Sequence, residues 1–194
     1  MKRRDFIIAS GASLVTIGAG AAGASVALPD YNMPEEFLPR EVRIKNDFAP
    51  FEIHVDPAQF ALYWTLPDKK AIRYSVGIGR PGLYEAGEFS VGAKKDWPSW
   101  TPPPEMIARA PESYAKYADG LPGGINNPLG SRGLYLFQPG KGDTFLRVHG
   151  TNEPKTIGQR VSNGCARLIN EQMIDLYDRV PMNSRVVLYP ADLS

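Results

Sequence analysis

Three runs crowded into residues 51 to 78 restrict the fold more than any other feature of the sequence: FEIHV (Phe51 to Val55), FALYWTL (Phe60 to Leu66) and AIRYSVGI (Ala71 to Ile78). Each is short and rich in β-branched and aromatic side chains, and the polar turn PDKK parts the second from the third, so together they predict a meander of strands. GEFSVG (Gly87 to Gly92), GLYLF (Gly133 to Phe137), TFLRVHG (Thr144 to Gly150) and SRVVLYP (Ser184 to Pro190) extend the pattern. Between them, KKDWPSWTPPPEMIARAPESY carries too many prolines for a strand and predicts an ordered loop with a short helix near Glu105 to Ala108. Helical periodicity is clear once, in NEQMIDLYDRVP, with Asn170 as N-cap, Glu171 in the first turn, Met173, Leu176, Tyr177 and Val180 on one face, and Arg179 before Pro181. The expectation is a mainly β fold with that helix packed on it.

The chain opens MKRRDFIIASGASLVTIGAGAAGASVALP, with Lys2, Arg3 and Arg4 ahead of a weakly apolar run and small residues suited to cleavage after Ala24 or Ala27. Residues 1–27 read as a targeting segment. The adjacent arginines resemble a bacterial twin-arginine signal, with a Sec signal or a retained anchor as alternatives. Residues 28–41 form a Pro-containing lead. Removing residues 1–27 takes away Lys2, Arg3, Arg4 and Asp5, so 22 basic and 21 acidic residues become 19 and 20. That balance excludes nucleic acid as the expected partner, which needs a basic excess. About 165 residues remain, enough for one domain with its own core.

A single cysteine, Cys165, cannot form an internal disulfide, and in an exported chain it is either a partner for another chain or a reactive thiol. A thiol attacks a carbonyl as thiolate, so a base must take its proton. His149 ends the TFLRVHG run, and the stretch from Gly150 to Gly164 is long enough to turn back on it. His54 alternates with Ile53 and Val55 in a strand and is expected to be exposed or hydrogen-bonded there. Gly150 leaves backbone open to orient His149, and Gly164 removes a side chain where amides could face an oxyanion. Arg167, two positions after Cys165, could hold a substrate carboxylate. From spacing alone a buried structural cysteine competes equally with a nucleophile.

His149-Gly150-Thr151 followed by Ser162-Asn163-Gly164-Cys165-Ala166-Arg167 closely resembles the signature of the L,D-transpeptidase catalytic domain (YkuD family), and WPSWTPPPEMI, GGINNPLGSRGLYLF and HGTNEPKTIG extend the likeness over residues 42–190. The resemblance implies a sandwich-like pair of mixed sheets with a packed helix. It implies Cys165 as nucleophile, His149 as base, the Gly150 carbonyl as orienter, Gly164 and Cys165 amides at the oxyanion, and Ser162, Asn163, Thr151 and Arg167 at the substrate. The implied reaction is attack on the third stem residue of peptidoglycan, usually diaminopimelate, with release of D-alanine and transfer to an amine, giving 3→3 cross-links. An envelope protein can replace the stem as acceptor, water would give a carboxypeptidase or amidase, and a silent wall-binding protein is the reading from another class. No cofactor is implied, and the expected place of work is the periplasm or cell envelope, with no membrane contact after cleavage. Two departures stand out: Glu85-Ala86-Gly87 where many members read Thr-Pro-x-Gly, and Asn163 where histidine is common. GIGRPG (Gly77 to Gly82) satisfies G-x-G-x-x-G but lacks a following helix to receive a pyrophosphate, and one cysteine with two histidines is thin supply for zinc.

Overall fold

The computed structural model describes residues 7–14, 31–45, 47–164 and 166–191. Its strands are β1 (Ile7–Leu14), β2 (Arg40–Ile44), β3 (Ile53–Asp56), β4 (Ala61–Leu66), β5 (Lys70–Ser75), β6 (Ile78–Gly79), β7 (Gly87–Asp96), β8 (Arg132–Gln138), β9 (Gly142–His149), β10 (Arg160–Ser162), β11 (Ala166–Arg167) and β12 (Arg185–Leu188). Its α-helices are α1 (Pro104–Arg109), α2 (Pro111–Tyr114) and α3 (Asn170–Arg179). Ten strands make one mixed sheet in the order β1-β2-β5-β4-β3-β12-β7-β8-β9-β11, and β10 pairs with β6 in a second. Parallel pairing joins β3 to β12, β9 to β11 and β6 to β10.

Alternation explains how the large sheet is buried on both faces. Ile53 and Val55, Leu62 and Trp64, Ile72 and Tyr74, and Val186 and Leu188 turn into the main core, where they meet Val91, Leu134, Leu136 and Val148 from the other half of the sheet and Met173 and Leu176 of α3. The intervening residues Ala61, Tyr63, Ala71 and Val187 join Val42, Ile44 and Tyr189 in a smaller core on the opposite face. The two halves of one curved sheet thus face each other across the main core. Gly77, just past β5, exchanges both backbone hydrogen bonds with Arg167 of β11 at 2.9 Å, drawing together segments that lie far apart in the strand order.

The helix α3 is held at both ends and in the middle. Asp175 accepts from the Tyr74 hydroxyl at 2.5 Å and from Arg179 Nη2 at 2.8 Å, so a carboxylate inside the contact between helix and sheet is paired twice. Burial and Asp175 raise the Tyr74 hydroxyl above its ordinary range. At the C-terminal end, Lys94 Nζ donates to the Tyr177 and Val180 carbonyls at 2.6 Å each, satisfying oxygens that the helix leaves open.

Several elements differ from the sequence expectation. The strand expected at Gly87 to Gly92 runs on to Asp96 through a bulge between Val91 and Ala93. The proline-rich stretch holds α2 as well as α1, each starting on a proline. Ile169, not Asn170, occupies the cap position of α3, and Asn170 is its first helical residue. Released from capping, the Asn170 carboxamide reaches out of the helix: its Oδ1 accepts from Ser131 N at 2.9 Å and Thr151 N at 3.2 Å, and its backbone carbonyl accepts from Ser131 Oγ at 3.1 Å. One side chain therefore ties the start of α3 to the loops before β8 and after β9.

Asn170→Ala would leave two buried backbone donors without their acceptor, and should lower the unfolding free energy by about 1–3 kcal/mol in urea titration. Asn170→Asp, which keeps an acceptor at a helix N-terminus, should lose less.

Candidate active site

His149 closes β9 at a point where backbone is bound on every side. Its carbonyl accepts from Leu168 N at 2.9 Å, Gly150 N donates to the Arg132 carbonyl at 3.0 Å, and β11 lies alongside with Arg167 opposite His149 in register. The imidazole Nδ1 is 2.6 Å from the Gly150 carbonyl oxygen. A carbonyl can only accept, so Nδ1 carries the proton and Nε2 presents its lone pair. Gly150 has no room for a side chain: a first side-chain carbon would collide with Asn170 Oδ1 and lie 2.9 Å from Ser131 N. The histidine's orienter is thus held by the same Asn170 that anchors the helix.

Burial, and then the Arg167 and Arg147 guanidiniums, lower the His149 pKa to about 4 against the opposing hydrogen bond to Gly150. The ring is neutral at neutral pH and able to accept a proton. Arg147 is itself paired bidentately with Asp143, at 2.7 and 2.9 Å, and stacks over Tyr135.

Cys165 lies outside the described residues, but both of its neighbours are placed. Ala166 pairs with Val148 in the parallel β9/β11 ladder. Gly164 has φ +120°, a conformation that disfavours any side chain, and a first carbon there would lie 2.8 Å from the Leu83 carbonyl oxygen. The loop carrying Leu83 is the edge where the sequence departs from Thr-Pro-x-Gly. It nevertheless packs on Gly164, with Arg80 N donating to the Ser162 carbonyl at 3.0 Å and Leu83 N turning back to Arg80 O. Ser162 is buried at the end of β10.

Arg167 is buried, with Nη1 3.3 Å from Glu153 Oε2. Thr151 is buried too, and its hydroxyl accepts from Glu153 N at 3.0 Å, which makes it the start of a turn. Together they fix the loop that leaves His149.

Asn163 connects to a different part of the chain. An excursion between β7 and β8 is closed at its base by Trp97 N to Ser131 O, 2.8 Å, and by the paired Trp100 and Leu121 backbones. It carries α1, α2 and an aromatic cluster in which Trp100 meets Tyr114 and Tyr117 edge-on. Asn163 Nδ2 donates to the Tyr114 hydroxyl at 3.0 Å, while its Oδ1 accepts from Arg109 Nη2 at 3.0 Å and from Arg80 Nη2 at 2.6 Å. The sequence had marked Asn163 but none of these partners.

His54 belongs elsewhere. It is 1% exposed, on the other face of the sheet from Ile53 and Val55, with Nδ1 3.0 Å from the Tyr189 hydroxyl and Nε2 3.1 Å from Glu52. Burial lowers its pKa against the pull of Glu52, which also pairs with Arg185. It is a hydrogen-bonded strand histidine remote in sequence and pairing from β9 and β11.

Comparison with known proteins follows the same lines. The profile of the L,D-transpeptidase catalytic domain (YkuD) matches residues 50–188. A protein of Fuscovulum blasticum named as an L,D-transpeptidase in the ATP synthase subunits region is 32% identical, over 87% of this chain and 90% of its own. One of Escherichia coli K12 named as L,D-transpeptidase ErfK/SrfK is 33% identical over 84% of this chain, which spans 51% of that relative's length. Among solved structures, L,D-transpeptidase 3 of Mycobacterium tuberculosis shares the fold at TM-score 0.53 and 14% identity, covering 79% of this chain and 69% of that one. A Brucella melitensis protein named as a carnitine operon oxidoreductase is 43% identical at TM-score 0.55, over 81% of this chain and 96% of its own. That name finds no echo in the Gly77 to Gly82 stretch, where β6 leads into a turn and no helix intervenes before β7. The chain belongs to the L,D-transpeptidase catalytic domain family, a family of enzymes.

Proposed function

We propose that the chain is a peptidoglycan L,D-transpeptidase in which Cys165 is the nucleophile and His149 its base. The observation that carries this is the 2.6 Å hydrogen bond from His149 Nδ1 to the Gly150 carbonyl, which leaves Nε2 as the ring's acceptor on a residue whose backbone pairs with the strand that follows Cys165. The Cys165 thiol proton passes to Nε2 as Sγ bonds the carbonyl carbon of the third stem residue. The oxyanion is met by the Gly164 and Cys165 amides. Collapse breaks the C–N bond, and the proton returns from Nε2 to the departing D-alanine amine. A second amine then attacks the thioester, giving up a proton to His149 and restoring the thiol, which forms the 3→3 cross-link. The same thioester passed to an envelope protein or to water would give the alternative products. Incubation of the protein with purified muropeptides, with products identified by mass, names donor and acceptor together.

In this reading Arg167 and Thr151 position the His149 loop, through Glu153, and Ser162 shapes the wall beside Gly164. Residues 1–27 are a twin-arginine signal, residues 28–41 a lead and residues 42–190 the catalytic unit, working in the periplasm or cell envelope. Cleavage would remove β1 and expose β2, whose Arg40, Glu41 and Arg43 suit a sheet edge that must not pair with other chains. Among the described residues no helix is long and apolar enough to cross a membrane.

Cys165→Ser should abolish the covalent adduct with a tetrapeptide donor or a carbapenem, read by intact mass, because a hydroxyl is a far poorer nucleophile at neutral pH. An adduct forming at the parent rate would remove Cys165 from its role. His149→Ala should slow acylation by at least about 10²-fold and move the pH profile of Cys165 alkylation toward that of a free thiol. His54→Ala should leave that profile in place, and the opposite ranking would overturn the pairing. Replacing Arg3 and Arg4 by lysine should strand precursor in the cytoplasm, whereas unchanged processing without the twin-arginine translocase would assign export to another route.

A further inference from the structure

Two guanidiniums converge on one neutral oxygen beside the proposed nucleophile. Arg80 Nη2 and Arg109 Nη2 lie 2.6 and 3.0 Å from Asn163 Oδ1, although Arg80 follows β6 and Arg109 ends α1. Both side chains are exposed, and among the described residues neither has a carboxylate partner. The other arginines of this region are committed: Arg147 to Asp143 and Arg167 to Glu153. An amide oxygen can accept from both guanidiniums, but it carries no charge to offset their mutual repulsion, and each guanidinium keeps further donors in its planar fork.

We propose that Arg80 and Arg109 together take a carboxylate of the acyl-donor peptide, with Asn163 holding the two guanidiniums in position for it. The inference rests on the transpeptidase reading above and assigns to this pair the carboxylate recognition that the sequence had suggested for Arg167. A carboxylate offers two charged oxygens to two forks, the arrangement in which guanidinium hydrogen bonds are strongest. The place is right for it: Asn163 precedes Gly164, so an anion held there belongs to a peptide whose carbonyl is at Cys165. The pair also bridges two walls, since Arg80 belongs to the loop packed on Gly164 and Arg109 to the excursion that Tyr114 docks on Asn163. A bound carboxylate would therefore link the excursion to the core of the site. A donor stem supplies two candidates, the terminal D-alanine carboxylate and the free carboxylate on the side chain of the third residue.

Binding of three tetrapeptides to the full chain carrying Cys165→Ser separates the possibilities: one with both carboxylates free, one amidated at the terminus, one amidated on the third side chain. Calorimetry should show that adding Arg80→Gln and Arg109→Gln weakens the free acid about tenfold to hundredfold. One of the two amides should lose almost nothing further, and which one identifies the carboxylate recognised. Asn163→Asp keeps acceptors for Arg80 and Arg109, exchanges the amide donor to the Tyr114 hydroxyl for an oxygen to which that hydroxyl can donate, and places a charge where the ligand's would go. It should weaken the free acid comparably, with the near-ultraviolet circular dichroism of the aromatic cluster unchanged. Equal losses for all three peptides, or no loss in Asn163→Asp, would reduce the arginines to latches of the excursion and overturn the proposal. Turnover of muropeptides by the unsubstituted chain is scored separately: turnover without discrimination sinks this inference alone, and absence of both binding and turnover sinks the transpeptidase reading with it.

Discussion

The carboxamide of Asn170 is the contact through which helix, sheet and site depend on one another. Its oxygen takes the amides of Ser131 and Thr151, which belong to the loops flanking β8 and β9, and it does so from the first turn of α3. Remove that acceptor and the loop bearing Gly150 loses the partner that ties it to the helix. The Gly150 carbonyl is what holds His149 in the tautomer with Nε2 open, so the protonation chemistry of the site traces back to an asparagine that touches no reacting atom. The absence of a side chain at Gly150 is the other half of the same device, because a methyl group there would occupy the place of Asn170 Oδ1.

The helix can serve as such a reference only because it is itself overdetermined. Its apolar residues Met173 and Leu176 sit in the main core, Asp175 is shared between Tyr74 and Arg179, and Lys94 closes its last carbonyls. Lys94 comes from β7, Tyr74 from β5 and Asn170's partners from the ends of β8 and β9, so strands from both halves of the curved sheet meet on ten helical residues. Local rigidity near His149 is therefore a property of the whole sheet, which is why so short a strand as β11 can be held in register beside it.

How much of this the sequence disclosed follows from the kind of signal each part carries. The strands between Phe51 and Ile78 were legible because both faces are largely buried, which makes most positions apolar or aromatic. β2 was not, since Arg40, Glu41 and Arg43 dilute its two apolar residues, and β6, β10 and β11 have two or three residues each and exist through pairing alone. The far half of β7 was hidden by Lys94, Lys95 and Asp96, polar residues whose partners are tertiary. Asn170 was noticed for the wrong reason, as a cap. The His149-Gly150 pairing was legible from adjacency, whereas Tyr114, Arg109 and Arg80, the partners of Asn163, lie 49, 54 and 83 positions away, where no local pattern reaches.

Charge is arranged by the same logic of local commitment. The chain carries 22 basic and 21 acidic residues, so no overall field steers a ligand to it. Within the site, however, cations outnumber the carboxylates that meet them. Arg147 and Arg167 are paired and still help lower the His149 pKa to about 4, which keeps the imidazole neutral until a proton is offered. Arg80 and Arg109 face a neutral amide and remain exposed. The paired guanidiniums act on the base by electrostatics, and the exposed pair is free to act on a ligand by contact. An anionic peptide would then find a complement beside Asn163, in a molecule whose charges otherwise nearly balance, and the selectivity would come from placement at short range, where salt screens it least.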